Sequence, residues 1–171
     1  MKHRTPWSAA LLCWLLCLAL LTACGGSSAE AETAGSCTVS ISCATILDNL
    51  DQLNAAKADF VPDDGVILPE TELSFAEGET AFDLLQRVCR ENGISMESSW
   101  SPLYKTAYIE GIANLYEFDC GKLSGWMYSV NGEFPNYGCS GYTLQDGDVI
   151  CWVYTCDLGE DVGGGYAAGG E

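Results

Sequence analysis

The sequence has a single histidine, few basic residues and no hydrophobic run long enough to cross a membrane. Its 171 residues contain 24 Asp and Glu against 7 Lys and Arg, so the net charge is −17. A chain this acidic is repelled by phosphates, which excludes nucleic acid as a partner and disfavours an anionic lipid surface.

The one histidine, His3, precedes an apolar segment typical of a signal peptide. The mature chain would have none, which excludes Ser-His-Asp and Cys-His catalysis and histidine-ligated metals. We therefore expect no enzyme activity, no bound metal and no resident cofactor.

The first 24 residues resemble a bacterial lipoprotein signal. Lys2 and Arg4 precede the apolar run 9–21, which is too short to span a bilayer of about 30 Å. The run ends in LTAC, residues 21–24, which resembles a lipobox. This resemblance implies removal of a signal peptide, residues 1–23, and acylation of Cys24, for example with palmitate. We expect an extracytoplasmic protein that is anchored to the bacterial membrane through lipidated Cys24; plain secretion is the alternative.

The mature chain is predicted to hold one domain between two flexible ends. Residues 24–36 are rich in Gly, Ser and Ala without apolar periodicity, which indicates a flexible tether. Residues 158–171 are rich in glycine and acids, which predicts a disordered tail. The folded domain would then cover residues 37–157 and rest on one core.

The hydrophobic pattern of the domain predicts an α+β fold. Val39, Ile41 and Cys43 alternate with polar residues, as in a half-buried strand. A first helix is predicted from Thr45, with Ile46, Leu47, Leu50 and Leu53 at helical spacing. The main helix begins after Thr80, with Asp83 completing a capping box, and ends at Asn92-Gly93. The remaining segments read as strands: 66–68 and 72–75 separated by Pro69, 126–130 followed by an Asn131-Gly132 hairpin turn, and 149–156.

Seven cysteines remain in the domain, and an oxidising compartment favours disulfides. Cysteines of the same strand are too far apart to bond, so bridges must join different elements. We expect Cys120-Cys139, which would close a loop around the aromatic hairpin, and a bond between the first and last strands, with Cys37-Cys151 as the candidate. Cys89, on the core face of its helix, would be the free thiol. A zinc site made of cysteines alone is disfavoured because no CxxC motif is present.

A family resemblance appears in the C-terminal third, GWMYSVNGEFPNYGCSGYTLQDGDVICWVYTCDLG from residue 125. With TVSISCATILDNL and AYIEGIANLYEFDCGKLSGWMY, this stretch resembles the transcobalamin-like C-terminal domain of bacterial surface lipoproteins. The resemblance implies a β-grasp-like mixed sheet packed on one main helix, with the first and last strands as parallel neighbours. It also implies cobalamin, a corrinoid, as a possible ligand. The helical barrel that completes the corrinoid cavity in animal carriers is missing here, so the ligand would need a partner domain.

The candidate ligand-binding residues are mostly aromatic and lie between residues 126 and 137. Trp126 and Tyr128 share one strand face, where core packing is the alternative role. Loop aromatics are good recognition groups, which adds the loop after the hairpin turn. The complete set is Trp126, Tyr128, Asn131, Phe134, Asn136 and Tyr137.

Two other kinds of site are disfavoured by spacing. Asp146 and Asp148 could bind calcium but lack the EF-hand pattern and read as a turn. Glu117 and Asp119 could serve a glycosidase, yet nothing places them in a cleft. The sequence therefore predicts a lipid-anchored binding module, with a helical-barrel or cell-envelope protein as partner. The alternative is a protein or glycan interaction module without a small ligand.

Overall fold

A computed structural model of the protein describes residues 33–165. The predicted signal peptide, the predicted acylation site Cys24, tether residues 24–32 and tail residues 166–171 lie outside the described residues. The fold is α+β, with two sheets and one main helix. Its elements are β1 (Thr33–Ser42), β2 (Val66–Ala76), α1 (Ala81–Asn92), β3 (Met96–Ser101), β4 (Thr106–Ile112), β5 (Leu115–Tyr116), β6 (Gly125–Val130) and β7 (Val149–Thr155).

The larger sheet has four strands in the order β2-β1-β7-β6. β1 and β7 run parallel, with Ser40 beside Cys151, whereas the other two pairs are antiparallel. The parallel pairing of first and last strands confirms the expectation. The inward residues of β1 alternate as predicted, since Val39 and Ile41 are fully buried. β6 forms one edge of this sheet, which matters for the site described below.

Helix α1 covers the inner face of the larger sheet. Thr80 and Asp83 form the predicted capping box: each side chain accepts a hydrogen bond from the other residue's backbone N–H. Gly93 ends the helix at φ 66°, a conformation that glycine adopts without strain. Leu84, Leu85 and Val88 are fully buried against the sheet. These buried residues recur at helical spacing, so one face of α1 builds the core.

The smaller sheet has the order β3-β4-β5. Its middle strand, β4, turns Ala107 and Ile109 into the main core and leaves Tyr108 about half exposed. β5 pairs only with the end of β4, through Gly111 and Ile112. The first residues of β4 therefore face β6 across a gap, and this gap forms the candidate site.

The disulfide staple predicted from the sequence is wrong: all seven cysteines between residues 33 and 165 are free thiols. Cys37 points into the core with Val39, whereas Cys151 pairs with Ser40 on the opposite face of the sheet. Successive side chains of a strand alternate between faces, so Cys37 and Cys151 cannot meet.

The pair Cys120-Cys139 is separated by burial in different cores. Cys120 packs with Cys43, Tyr154 and Cys156 in a small hydrophobic cluster, and its thiol donates to the Asn49 carbonyl at 3.4 Å. Cys139 belongs to the main core under α1. Sequence spacing suggested a closed loop, but the two ends of that loop enter different clusters. Cys89 is buried and free, as predicted, but so are five of the other thiols.

Two predicted boundaries differ from the structure near the N-terminal half. The helix expected from Thr45 is a single 3-10 turn, Ala44–Asp48, because the Thr45 hydroxyl donates to the Tyr154 carbonyl and does not cap the turn. The two short strands expected around Pro69 are one continuous strand, β2. Proline is tolerated there because β2 lies at the edge of the sheet, where its missing N–H breaks no ladder bond.

The ordered part of the chain is also longer than the sequence indicated. β1 begins at Thr33, inside the segment assigned to the tether. At the other end, residues 158–165, assigned to the tail, form a loop held by specific bonds. Asp161 accepts a hydrogen bond of 2.7 Å from the Cys156 backbone N–H, and the Gly159 N–H donates to the Thr155 hydroxyl at 2.7 Å. This loop forms one wall of a groove.

Candidate functional site

Two adjoining grooves lie where edge strand β6 faces β4. The first, here called the aromatic groove, has a volume of about 550 Å³. The second, here called the acidic groove, has about 510 Å³. Both are lined by Tyr108, Trp126 and Met127, so these three side chains form their common boundary. A groove of this size, lined by aromatics with a few polar groups, is typical of ligand sites.

The walls of the aromatic groove come from three separate parts of the chain. β4 and the turn before it contribute one wall, β6 and β7 the floor, and the loop after the hairpin turn the other wall. The aromatic residues that line it are Tyr104, Tyr108, Trp126, Tyr128, Tyr137 and Trp152.

The floor is fixed by aromatic contacts. The rings of Tyr128 and Trp152 stack with centroids 5.4 Å apart, and Trp126 meets Tyr154 edge to face at 5.3 Å. The Trp126 indole N–H donates to the Leu115 carbonyl at 2.8 Å. These contacts hold the rings in one geometry before any ligand binds, which reduces the entropy lost on binding.

One donor at this floor is left over. The Trp152 side chain is 2% exposed, and its indole N–H has no hydrogen-bond partner among the described residues. A buried donor without a partner destabilises a protein by about 1–3 kcal/mol. Such a group is common at sites whose partner arrives with a ligand or water.

The loop wall is pinned to both sheets. The Tyr128 hydroxyl donates to the Tyr137 carbonyl at 2.9 Å, and the Ser140 hydroxyl accepts a hydrogen bond of 3.0 Å from the Ala107 N–H. Gly138 lies so close to Thr106 that a Cβ there would come within 1.9 Å of the threonine hydroxyl. Glycine is therefore required at 138 for the loop to approach β4.

Four of the six predicted ligand residues line this groove: Trp126, Tyr128, Asn136 and Tyr137. The other two, Asn131 and Phe134, lie elsewhere. The Asn131 side chain donates to Asp148 Oδ1 and accepts from the Val149 N–H, both at 2.9 Å, so it holds the hairpin turn. The Phe134 ring packs against Gly164, where a Cβ would lie 2.6 Å from it.

Three aromatic lining residues were not among the predicted ligand set: Tyr104, Tyr108 and Trp152. They come from β4, its preceding turn and β7, which are distant in sequence from the 126–137 segment. The excess of aromatics between residues 104 and 142 was the only signal for the first two. Trp152 is also a core residue, since it is 2% exposed and stacks on Tyr128.

The acidic groove differs from its neighbour in charge. Three carboxylates line it, Glu117, Asp157 and Glu160, whereas no charged residue lines the aromatic groove. Its apolar lining includes Phe118 and Leu158, both more than half exposed. The Tyr108 phenol donates to Glu117, and burial followed by this bond raises the pKa of Tyr108 to about 12. The phenol therefore keeps its proton at neutral pH.

The described residues offer no evident metal centre. Among residues 33–165 no three His, Cys, Asp or Glu side chains converge on a point where a metal could bind. Asp148, considered above for calcium, accepts hydrogen bonds from Asn131, the Tyr142 hydroxyl and the Gln145 N–H. Within the same residues no helix is long and apolar enough to cross a membrane.

Comparison with known proteins gives one family match and partial structural similarities. A family model described as a domain of unknown function, DUF4430, matches residues 78–156, which include both β6 and β7. No curated protein is significantly similar to the sequence. The fold is similar to a candidate metal-binding protein from Ruminococcus gnavus, at 18% identity and a TM-score of 0.39, over 71% of this chain and 96% of the other. It is also similar to haptocorrin, crystallised in complex with Cbi, at 17% identity and a TM-score of 0.46, over 77% of this chain and 28% of the other.

Proposed function

We propose that this protein is a lipid-anchored extracytoplasmic binding module, without catalytic activity, whose aromatic groove holds a small ligand. The observation that carries the proposal is the convergence of Trp126, Tyr128, Asn136 and Tyr137 on one groove of about 550 Å³. Rigid aromatic walls recognise ligands through large apolar contact area at low entropic cost.

The chemistry of the groove favours a neutral ligand with a broad apolar face and hydrogen-bond acceptors. No charged side chain lines it, and its polar groups are hydroxyls and one amide, Asn136. The unpartnered N–H of Trp152 would gain an acceptor if a ligand carbonyl or a water reached the floor. A corrinoid such as cobalamin, suggested by the sequence resemblance to transcobalamin-like domains, has broad ring faces and amide groups of this kind.

The groove is open on one side, which supports a second component. An open groove covers one face of a ring-shaped ligand, and tight sites bury most of the ligand surface. We propose that a helical-barrel or cell-envelope protein supplies the other face. The parallel β1-β7 pair and the helix across the sheet support assignment to the β-grasp class, in which such modules occur.

The test is a titration of the purified full chain with cyanocobalamin, followed by tryptophan fluorescence and by the visible spectrum of the corrinoid. We expect saturable changes in both signals. Tyr137→Ala or Tyr104→Ala should lower the affinity for cobalamin about 3- to 10-fold through loss of aromatic contact. Trp100→Ala is the matched control, because Trp100 is 61% exposed and does not line the groove. The absence of any change up to about 1 mM cobalamin, for the chain alone and in the presence of helical-barrel partner proteins, would overturn the corrinoid assignment.

A protein or glycan interaction module without a small ligand is the second candidate. It is favoured by the apolar tip of the β3-β4 hairpin, where Trp100, Leu103 and Tyr104 are 61%, 80% and 77% exposed. Exposed apolar clusters of this kind mark interaction surfaces. Pull-down from the native cell envelope with the full chain, compared with a Trp100→Ser/Leu103→Ser variant, separates this candidate from the first, since neither side chain lines the aromatic groove and only a surface role requires them for partner recovery.

A further inference from the structure

We propose that the acidic groove receives a lysine or arginine side chain of a basic partner protein. The groove joins two features that such a side chain needs. Its apolar lining, which includes Trp126 and Met127, can cover the aliphatic stem. Its three carboxylates, Glu117, Asp157 and Glu160, do not converge on one point, so together they attract the cationic head and one of them can pair with it. This inference does not depend on whether the aromatic groove binds a corrinoid.

The carboxylates of the groove have no basic partner within the described part of the chain. The two ion pairs between residues 33 and 165 lie elsewhere, Lys57 with Asp119 and Arg87 with Glu79. Among the described lining residues there is no lysine or arginine. The negative charge of the groove is therefore unbalanced locally, and the chain as a whole carries −17. Both favour a cationic occupant.

The protein already holds one of its own lysines in an arrangement of this kind. Lys57 Nζ lies 4.4 Å from the ring centroid of Tyr116 and 3.2 Å from Asp119 Oδ2, and it donates to the Asn114 carbonyl at 2.8 Å. An aromatic face, a carboxylate and a carbonyl together satisfy the ammonium group. The acidic groove offers two of these elements: aromatic faces from Tyr108, Phe118 and Trp126, and carboxylates.

The surroundings of the groove favour a side chain of a protein over a free amine. Phe118 and Leu158 line the groove and remain 62% and 61% exposed, so they extend its apolar rim outward. A partner surface would cover this rim, whereas a small amine would leave it in water. Association of a free amine would also lose translational freedom without that additional burial.

The groove is built by bonds that do not involve a ligand. The Leu158 N–H donates to the Leu123 carbonyl at 3.0 Å, and Asp161 anchors the same loop through the Cys156 N–H at 2.7 Å. The Tyr108 phenol fixes Glu117 at 2.5 Å. Two of the walls are therefore preformed, which lowers the entropy lost when a partner binds.

The experiment uses the full chain labelled with ¹³C at the methionine methyl groups, because Met127 lines the groove. The probes are an acetylated, amidated pentapeptide Ala-Leu-Lys-Leu-Ala, the same peptide with the lysine acetylated at Nζ, and butylammonium. We expect the lysine peptide to shift the Met127 signal, and the acetylated peptide to bind at least about 10-fold more weakly. Glu117→Gln and Glu160→Gln should each lower the affinity of the protein for the lysine peptide about 3- to 10-fold.

The matched control is Glu72→Gln, an exposed carboxylate on edge strand β2 at the far side of the larger sheet, which should change nothing. Tyr137→Ala should also leave the peptide affinity unchanged, which separates this site from the aromatic groove. Equal binding of the acetylated peptide, or no Met127 shift up to about 10 mM peptide, overturns the proposal. If butylammonium binds with the same affinity as the lysine peptide, the groove is a site for small amines and the proposal of a partner side chain is overturned.

Discussion

The Tyr108 phenol, on β4, donates a hydrogen bond of 2.5 Å to Oε2 of Glu117, the residue that follows β5. Tyr108 lines both grooves, whereas Glu117 lines only the acidic one. The pair therefore stands where a neutral aromatic surface meets a charged one. Because the phenol remains protonated at neutral pH, it can act there as a donor to the carboxylate without adding charge.

Replacing Tyr108 by Phe should keep the fold and remove one late-titrating tyrosine. The bond is solvent-exposed, so the expected loss of stability is about 0.5–1.5 kcal/mol. Tyr108, Tyr142 and Tyr154 all have pKa values raised to about 12, mainly by burial. Alkaline titration followed by tyrosinate absorption should therefore lose the amplitude of one tyrosine near pH 12 in Tyr108→Phe. Tyr142→Phe should lose a similar share, and an unchanged amplitude in Tyr108→Phe would contradict the assignment.

The buried thiols predict a loss of stability at alkaline pH. Burial raises the pKa of Cys37, Cys43, Cys89 and Cys139 to about 11, from 9.0 for an exposed thiol. Between these values the unfolded chain has released protons that the folded chain still holds. The free energy of unfolding therefore falls as pH rises from about 9 to 11, by about 1.4 kcal/mol per pH unit for each such thiol, and it is unaffected by these groups at lower pH.

Urea unfolding under reducing conditions measures this effect. The urea concentration at the unfolding midpoint should decrease as the pH is raised from about 8 to 10.5. Cys89→Ala should make this decrease with pH less steep, since burial alone raises the pKa of that thiol. The cavity left by Cys89→Ala lowers stability at every pH, so the comparison concerns the slope. A slope that is identical in the variant would mean that Cys89 does not contribute.

Local sequence signals predicted the parts of this fold that depend on neighbours in the chain. The Thr80-Asp83 capping box, the Gly93 cap and the Asn131-Gly132 turn each involve residues within a few positions of one another. The alternation of β1 was readable for the same reason. The prediction of a helix from Thr45 was wrong because the hydroxyl that would have capped the helix donates a hydrogen bond to a distant carbonyl, that of Tyr154.

The site could be predicted only in part because it is assembled across two sheets. Trp126 and Tyr128 were recognisable as an aromatic pair on β6, and Tyr137 as an exposed loop aromatic. β6 pairs with β7 and faces β4 of the other sheet across a gap, beside a β5 that is only two residues long. No sequence pattern indicated this arrangement. The disulfide prediction was wrong for a similar reason, because it too depended on how distant segments are arranged. Cysteine spacing does not reveal which face of a sheet or which of two cores a side chain enters.

Asp148 should be the most stability-sensitive acid of the hairpin region. It is 4% exposed and accepts hydrogen bonds of 2.9 and 2.8 Å from the Asn131 side chain and the Tyr142 hydroxyl. Asp148→Ala removes these bonds and leaves the donors unsatisfied, so we expect a loss of about 2–3 kcal/mol in urea unfolding. The neighbouring Asp146→Ala is the control: Asp146 is exposed and accepts one bond, from the Ser36 N–H, so a smaller loss of about 0.5–1 kcal/mol is expected. Equal losses would show that Asp148 does not organise the turn.

Gly138 should be essential to the shape of the aromatic groove, whereas Gly141, three residues later, should not. A Cβ at 138 would lie 1.9 Å from Thr106 Oγ1 and 2.5 Å from its Cβ, so the loop or β4 would have to move. At 141 the nearest atom is a ring carbon of Tyr137 at 3.5 Å, an ordinary contact. We expect Gly138→Ala to lower stability by about 1–3 kcal/mol, as overpacking does, and to weaken any ligand of the groove.

The same measurements on Gly141→Ala should stay within about 0.5 kcal/mol of the parent protein, because the added methyl group meets no atom closer than an ordinary contact. Thr106→Ala in the Gly138→Ala background provides the second check. It removes Thr106 Oγ1 and the methyl carbon, which lie 1.9 and 2.3 Å from the position of the new Cβ, and should recover part of the lost stability. If the double variant is no more stable than Gly138→Ala, the cost at 138 arises from the loop backbone and not from its contact with β4.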